Sequence, residues 1–139
     1  YCFRNDLQAE GCVEALRMAL NNRIYDHPII HHSDRGSQYC SHQYVHLLNQ
    51  HNIKISMTDN GDPYENALAE RVNGIIKTEF NLHQTHLGFD QTYNLVKHSI
   101  KAYNELRPHG SCDYLTPDQA HLQFETLHKR WKNYNKYYF

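Results

Sequence analysis

Two short apolar runs, separated by one amphipathic helical pattern, constrain the fold of this 139-residue chain more than any other feature. The runs cover residues 28–32 and 53–57, and both have the length and composition of β-strands. Between them, Ser41 can cap a helix that ends at Asn52. A strand, a helix and a second strand predict a parallel pair inside an α/β layer. Because two strands make a very small sheet, we expect further sheet partners upstream of Tyr1 or in another chain.

Helical patterns occupy most of the remaining sequence. We predict helices over residues 9–22 and about 66–80, with the turn formers of residues 59–63 as a loop before the second. Another helix begins with Asp90 as its cap and ends at Arg107, before a proline.

The sequence Thr-Pro-Asp-Gln at residues 116–119 is typical of a capping box and predicts one more helix. The apolar stripe expected on that helix consists of Ala120, Phe124, Leu127, Trp131 and Tyr134. Trp131 and Tyr134 also stand among the basic residues of the tail, where they could stack on nucleotide bases. Because they continue the stripe, we favour packing in the core or against a partner.

Composition excludes several classes of protein. The chain is 40% hydrophobic and 21% charged, which excludes a disordered polypeptide. Its apolar runs are too short to cross a bilayer, and a soluble protein of the cytoplasm is expected. The formal net charge of −1 favours no particular partner. Four widely spaced cysteines predict reduced thiols, and twelve histidines without the spacing of a zinc motif predict no zinc site.

A polar stripe lies on one side of the helix predicted over residues 66–80. At 3.6 residues per turn, Asn66, Glu70, Asn73 and Lys77 fall on that side, opposite Leu68 and its apolar neighbours. Such a stripe is either a functional surface or an ordinary solvated face.

Asp34 follows directly after the first predicted strand. In open α/β sheets, ligands bind at this carboxyl edge. A carboxylate there, facing Glu70 on a helix, suits a divalent cation such as Mg²⁺, which prefers oxygen ligands. The alternative reading of Asp34 is a turn former in Ser-Asp-Arg-Gly.

Four segments, in this order and spacing, resemble the catalytic core of the DDE transposases of the insertion-sequence-3 family, which are relatives of retroviral integrases. The segments are residues 31–39, 61–79, 103–109 and 116–120. The resemblance implies an RNase H-like α/β fold and DNA strand transfer, in which a 3′-hydroxyl attacks a phosphodiester. It also implies two Mg²⁺ or Mn²⁺ ions in the complete core.

Residue by residue, Asp34 matches the second aspartate of that family, and Glu70 matches its glutamate; both are the expected catalytic residues and metal ligands. Asn66 and Lys77 match residues placed near the DNA, and we expect Arg71 and Asn73 to contact DNA from the same helix. Glu65 departs mildly from the family, in which Asp is more usual at that position.

The first aspartate of the family has no match here, because Asp6 lies too close to the first helix. We therefore expect residues 1–139 to be a single core fragment, truncated at its N-terminal antiparallel strands, with 84–139 as a helical C-terminal extension. Whether the chain is itself an enzyme stays open, and we expect it to be unable to catalyse strand transfer alone.

The sequence is compatible with three functions. The first is a DNA transposition and integration core, acting in a bacterial cytoplasm near the nucleoid, as a homo-oligomer and without a membrane. The second is a catalytically dead remnant that binds DNA or partner subunits. The third is a stand-alone RNase H-like nuclease, which the missing aspartate disfavours.

Overall fold

The computed structural model describes residues 1–59, 63–82 and 86–128. These residues form two compact units, Tyr1–Arg71 and Val72–Phe139. Five α-helices and two strands occur in the order α1 (Ala9–Asn21), β1 (Ile30–Ser33), α2 (His42–Gln50), β2 (Lys54–Met57), α3 (Ala67–Glu79), α4 (Phe89–Leu106) and α5 (Pro117–His121). Short 3-10 turns at Pro63–Asn66 and Gly110–Cys112 precede α3 and α5.

The first unit contains the sheet and the main apolar core. β1 and β2 pair in parallel, with Ile30 opposite Lys54 and Ser33 opposite Met57, which confirms the predicted strand–helix–strand arrangement. The buried core joins α1, α2 and the start of β2, and its members are Val13, Leu16, Tyr44, Leu47, Leu48 and Ile53. These are the positions that the helical spacing and the second strand place on one side.

Local signals set the ends of α2. The Ser41 side chain accepts a hydrogen bond from the backbone N–H of Tyr44, which satisfies one of the free donors of the first turn. After the helix, Asn52 takes a left-handed conformation with φ 54°, which lets the chain turn into β2. Both ends agree with the sequence prediction.

Among the residues that the structure describes, the second unit buries fewer apolar side chains than the first. In α4, Tyr103 is buried, and the buried Ser99 hydroxyl donates to the Leu95 carbonyl at 2.8 Å. Arg107 forms a two-pronged ion pair with Glu79 of α3, with distances of 2.6 and 2.7 Å, and its guanidinium lies 5.9 Å from the centre of the Tyr103 ring. Polar contacts therefore hold the carboxyl end of α4 to the end of α3.

The capping box before α5 is confirmed. The Thr116 hydroxyl accepts from the Gln119 backbone N–H at 3.3 Å, and the Gln119 side chain accepts from the Thr116 backbone N–H at 3.0 Å. The helix that follows is much shorter than the predicted stripe, because it ends at His121 and leaves Phe124 92% exposed. Because Phe124 is uncovered, no packing at that position extends the five-residue helix. Trp131 and Tyr134 lie outside the described residues.

The beginning of α4 also differs from the prediction. Gly88, and not Asp90, is the N-cap residue, and its carbonyl accepts the first helical bond from the Thr92 N–H at 2.9 Å. Asp90 lies instead in the first turn, where the helix dipole favours an acidic side chain.

Two further expectations concern the whole chain. All four cysteines are free thiols, as the sequence predicted. Within the described residues, no helix has both the length and the apolar character required to span a membrane. The assignment of residues 84–139 as a C-terminal extension of a single core stays a prediction.

Candidate functional site

Asp34 is the first residue after β1, at the edge where both parallel strands end. The sheet closes there with a hydrogen bond from the Thr58 N–H to the Ser33 carbonyl at 3.0 Å. Asp34 is exposed, and its Oδ1 atom accepts from the Gly36 N–H at 2.9 Å. Its Oδ2 atom has no hydrogen bond to the described residues, so one carboxylate oxygen is not engaged by the turn.

Gly36 matters to the placement of this carboxylate. A Cβ atom at position 36 would lie 2.9 Å from Asp34 Oδ1 and 3.2 Å from the Gln38 side-chain oxygen. Any larger residue would therefore displace the Asp34 carboxylate from its turn. The turn-former reading and the ligand reading of Asp34 are thus compatible, since one oxygen serves the turn.

Arg35 joins the loop after β1 to the loop after β2. Its Nε atom donates to the Thr58 carbonyl at 2.7 Å, and its Nη2 atom lies 3.3 Å from Asp59 Oδ1. The backbone N–H of Asp59 in turn donates to Glu65 Oε2 at 2.7 Å. Sequence reasoning missed these contacts, because no periodicity relates positions 35, 59 and 65. Two features of the sequence hinted at these contacts: the charged Arg35 in the turn next to Asp34, and Glu65 at a position where the family more often has Asp.

Glu70 lies in the first turn of α3, four residues after the 3-10 turn that holds Asn66. Glu70, Arg71, Asn73 and Lys77 are exposed on this helix, and Asn66 is half-buried. The positive end of the helix dipole stabilises a carboxylate in this first turn. The exposure of these side chains is consistent with a polar surface available to a ligand.

The apolar side of α3 is only partly covered. None of the thirteen side chains of α3 is buried, and Leu68 is 78% exposed, while Val72, Ile75 and Ile76 are half-buried. Leu68, in the first turn, therefore does not share the partial cover of the other three apolar residues.

The two predicted metal ligands suit a hard divalent cation in the chemistry of their donor atoms. Asp34 and Glu70 offer carboxylate oxygens, which Mg²⁺ and Mn²⁺ prefer over nitrogen and sulfur. Within the part of the chain that the structure describes, however, no group of three or more His, Cys, Asp or Glu side chains could hold a metal. The convergence of Asp34 and Glu70 on one ion stays a prediction.

His32 lies on β1, two residues before Asp34. Its side chain is exposed, and its Nδ1 atom lies 2.8 Å from the Ser56 hydroxyl on the neighbouring strand. Because Ser56 is the directly opposite residue of β2, this contact links the two strands through their side chains.

A separate cavity of about 700 Å³ lies beside α1 in the first unit. Its lining includes His31, Tyr39 and Tyr44; the Tyr44 ring makes T-shaped contacts with the other two rings, and its hydroxyl lies 2.9 Å from His31 Nε2. Burial raises the pKa of Tyr44 to about 12 and lowers the pKa of His31 below its usual value. Neither Asp34 nor Glu70 lines this cavity.

Two family models match the chain, and both are described as an integrase core domain. One covers residues 1–63 and the other covers residues 51–117. Together they account for all of the helices and strands from α1 to the beginning of α5.

Bacterial insertion-sequence proteins are similar to the chain in sequence. An uncharacterized 31 kDa protein of insertion element IS600 from Shigella sonnei is 35% identical over 118 residues, which is 84% of this chain and 43% of that protein. The transposase InsF of insertion sequence IS3A from Escherichia coli K12 is 36% identical over 115 residues, or 81% of this chain and 40% of that protein. The chain thus spans about two fifths of the length of these relatives.

Solved structures with the same fold come from retroviruses. A chain of the simian T-cell lymphotropic virus intasome superposes with a TM-score of 0.71 at 21% identity, over 89% of this chain and 44% of that one. The HTLV-2 integrase catalytic core, in complex with magnesium, gives 0.60 at 23% identity, over 82% and 70%. The catalytic core of BIV integrase gives 0.65 at 15% identity, over 86% and 74%. These likenesses show an RNase H-like fold.

Proposed function

Because this chain belongs to the integrase core domains, as a DDE transposase core of the insertion-sequence-3 family, we propose that it serves DNA transposition. The reaction is divalent-metal-dependent phosphoryl transfer, in which DNA strands are cut and joined. The observation that carries the proposal is the Asp34 carboxylate, which stands at the carboxyl edge of the parallel strands with Oδ2 free of hydrogen bonds to the described residues.

Asp34 and Glu70 are the proposed metal ligands, and the metal is Mg²⁺ or Mn²⁺. When bound, such ions lower the pKa of an attacking hydroxyl and stabilise the leaving oxygen of a phosphodiester. The chain supplies the carboxylates and keeps Asp34 in place, since the Gly36 N–H holds Oδ1 and leaves Oδ2 for the ion. A two-ion site needs more ligands than these two, and the family's first aspartate has no match among residues 1–139.

α3 is the proposed DNA-binding helix. Lys77 and Arg71 offer positive charges to phosphates, and Asn66 and Asn73 offer amide groups that can donate to phosphate or base oxygens. Because the chain as a whole has a formal net charge of −1, these local contacts must supply the attraction to DNA. Further partners in this proposal are additional copies of the chain, and the location is the bacterial cytoplasm near the nucleoid.

A second candidate function is binding without catalysis, as a remnant that occupies DNA or pairs with complete transposase subunits. This candidate needs no complete metal site, and the family's first aspartate has no match among residues 1–139. The two candidates share the DNA surface of α3 and differ in whether strand joining occurs.

The test measures DNA binding and strand joining by the purified chain. The DNA is a labelled duplex that carries the terminal repeats flanking the gene, supplied with Mn²⁺. We expect salt-dependent binding that Lys77→Gln weakens, while the exposed Lys97→Gln on α4 serves as the matched control. We expect no joining products from the chain alone.

Three outcomes separate the readings. Binding that Lys77→Gln weakens and Lys97→Gln leaves unchanged supports the DNA surface of α3. Joining products that Asp34→Asn abolishes support the transposase function and contradict the expected inactivity. Failure to bind DNA at about 50 mM salt contradicts the transposition function and leaves, of the second candidate, only the pairing with complete transposase subunits.

A further inference from the structure

Three loops of the first unit meet at one residue, Asp59. Arg35 approaches its side chain from the loop after β1, and Glu65 approaches its backbone N–H from the turn before α3. Asp59 itself follows β2 by two residues. The first of these loops begins at Asp34, and the helix reached through the last carries Glu70.

The contact between Arg35 and the second loop is made at two points. The guanidinium donates to the Thr58 carbonyl at 2.7 Å and pairs with the Asp59 carboxylate at 3.3 Å. Thr58 is a firm anchor, since it is buried and its N–H completes the sheet ladder to Ser33. The planar fork of arginine can reach both acceptors at once, which a lysine ammonium cannot do in the same geometry.

The hydrogen bond between the Asp59 N–H and the Glu65 carboxylate joins the loop after β2 to the turn before α3. Its donor–acceptor distance of 2.7 Å is typical of a charge-assisted hydrogen bond, because the acceptor is a carboxylate. Because no side chain of α3 is buried, this hydrogen bond has more influence on where the helix begins than it would on a well-packed helix.

We propose that Arg35, Asp59 and Glu65 are positioning residues that set the placement of Asp34 relative to Glu70. The inference rests on the proposed function, since it takes those two acids as the metal ligands. Asp59 and Glu65 do not bind the ion in this account: the Asp59 carboxylate faces the Arg35 guanidinium, and the Glu65 carboxylate is engaged by a backbone donor.

The variants at position 65 separate positioning from metal binding. Glu65→Gln keeps an oxygen that can accept from the Asp59 N–H but loses the charge that a metal ligand needs. Glu65→Ala loses both. Glu10→Ala, an exposed acid on α1, is the matched control. Site-specific broadening of backbone NMR signals near residues 34 and 70 during a Mn²⁺ titration of the full chain gives the apparent affinity.

We expect Glu65→Ala to weaken Mn²⁺ binding roughly threefold to tenfold, the range of a single hydrogen bond, with Glu65→Gln close to wild type. Arg35→Lys should resemble Glu65→Ala. Equal losses in Glu65→Ala and Glu65→Gln would show a ligand and overturn the positioning role. Unchanged binding in Glu65→Ala would overturn it as well, and wild-type protein that fails to bind Mn²⁺ would instead contradict the proposed function.

A metal-free measurement keeps the positioning role testable in every case. Amide hydrogen exchange at Asp59 and in the first turn of α3 should be roughly threefold to tenfold faster in Glu65→Ala than in wild type, and unchanged in Glu10→Ala. Equal exchange in Glu65→Ala and wild type would overturn the proposal, whatever the metal titration shows. Unfolding midpoints of all variants, measured in parallel, separate a local effect from general loss of stability.

Discussion

The two units of this chain are stabilised by different means. The first, Tyr1–Arg71, buries a cluster of six apolar side chains between two helices and a strand. The second, Val72–Phe139, buries Tyr103 as its large apolar side chain among the described residues and relies on an ion pair, a capping box and the packing of Arg107 on an aromatic ring. The free energy gained by burying apolar side chains is proportional to the area buried. Exposed ion pairs contribute little free energy, and dissolved salt screens them. The stability of the first unit should therefore depend mainly on substitutions in its apolar core, and that of the second unit on substitutions of its ion pair and capping box.

The largest expected effect comes from the core of the first unit. Leu48 is 1% exposed, and Leu48→Ala should cost about 2–5 kcal/mol of stability. The loss combines the transfer free energy of the removed methyl groups with the free energy cost of the cavity left behind. Amide hydrogen exchange measures the result unit by unit: protection should fall in α1, α2 and both strands. An equal fall in α4 would contradict the separation of the two units.

A smaller effect is expected from the capping box of the second unit. Thr116→Ala removes the acceptor for the Gln119 N–H and should cost about 1 kcal/mol. Exchange should accelerate in α5 and leave α2 unchanged. Thr116→Ser, which keeps the hydroxyl, is the control and should restore protection.

Sequence reasoning succeeded where hydrophobic spacing or a local cap decides the structure. α1, α2 and the parallel pair followed from apolar periodicity, and Ser41 and Thr116 cap their helices as predicted. It failed at Phe124, whose apolar stripe was read as continuous helix, because spacing alone does not say whether a partner surface exists to cover it.

The candidate site shows the same division. A carboxylate placed after a strand is readable from sequence, since the chain order of strand and turn fixes its position at the sheet edge. The contacts of Arg35 and Glu65 with Asp59 were not readable, because they join residues brought together by tertiary structure and carry no sequence period. The resemblance to a known family supplied residue roles that spacing left open.

The stability of the two units should depend differently on pH, with an effect smaller than that of the capping box. Burial lowers the folded-state pKa of His31 below 6.5, so the unfolded chain binds more protons, and stability should fall as the pH drops below about 6.5. The Arg107 guanidinium lowers the pKa of Glu79 below 4.5, so that pair contributes stability above 4.5 and loses it only at lower pH. Between pH 7 and 5.5, the protection factors, which correct for the slower intrinsic exchange at lower pH, should fall more in the first unit.

His31→Gln isolates the contribution of that histidine, since Gln can accept from the Tyr44 hydroxyl but does not titrate. The difference between wild type and His31→Gln should shrink as the pH falls through 6.5. A difference that stays constant with pH would contradict the assignment to His31.

The smallest expected change in stability comes from Gly36→Ala. Its Cβ would meet Asp34 Oδ1 at 2.9 Å, and a side-chain carboxylate can rotate away at little cost. The unfolding midpoint should change little, while Mn²⁺ binding near Asp34 should weaken because the carboxylate has moved. Unaltered metal binding in a folded Gly36→Ala protein would show that the turn does not set the ligand geometry.

The most direct test is a Mn²⁺ titration of the wild-type chain, Asp34→Asn and Glu70→Gln, followed by residue-resolved NMR line broadening. We expect signals around positions 34 and 70 to broaden together at the same Mn²⁺ concentration, and either substitution to remove both effects. Broadening that appears at one position alone, or that survives both substitutions, would mean that these carboxylates do not share an ion.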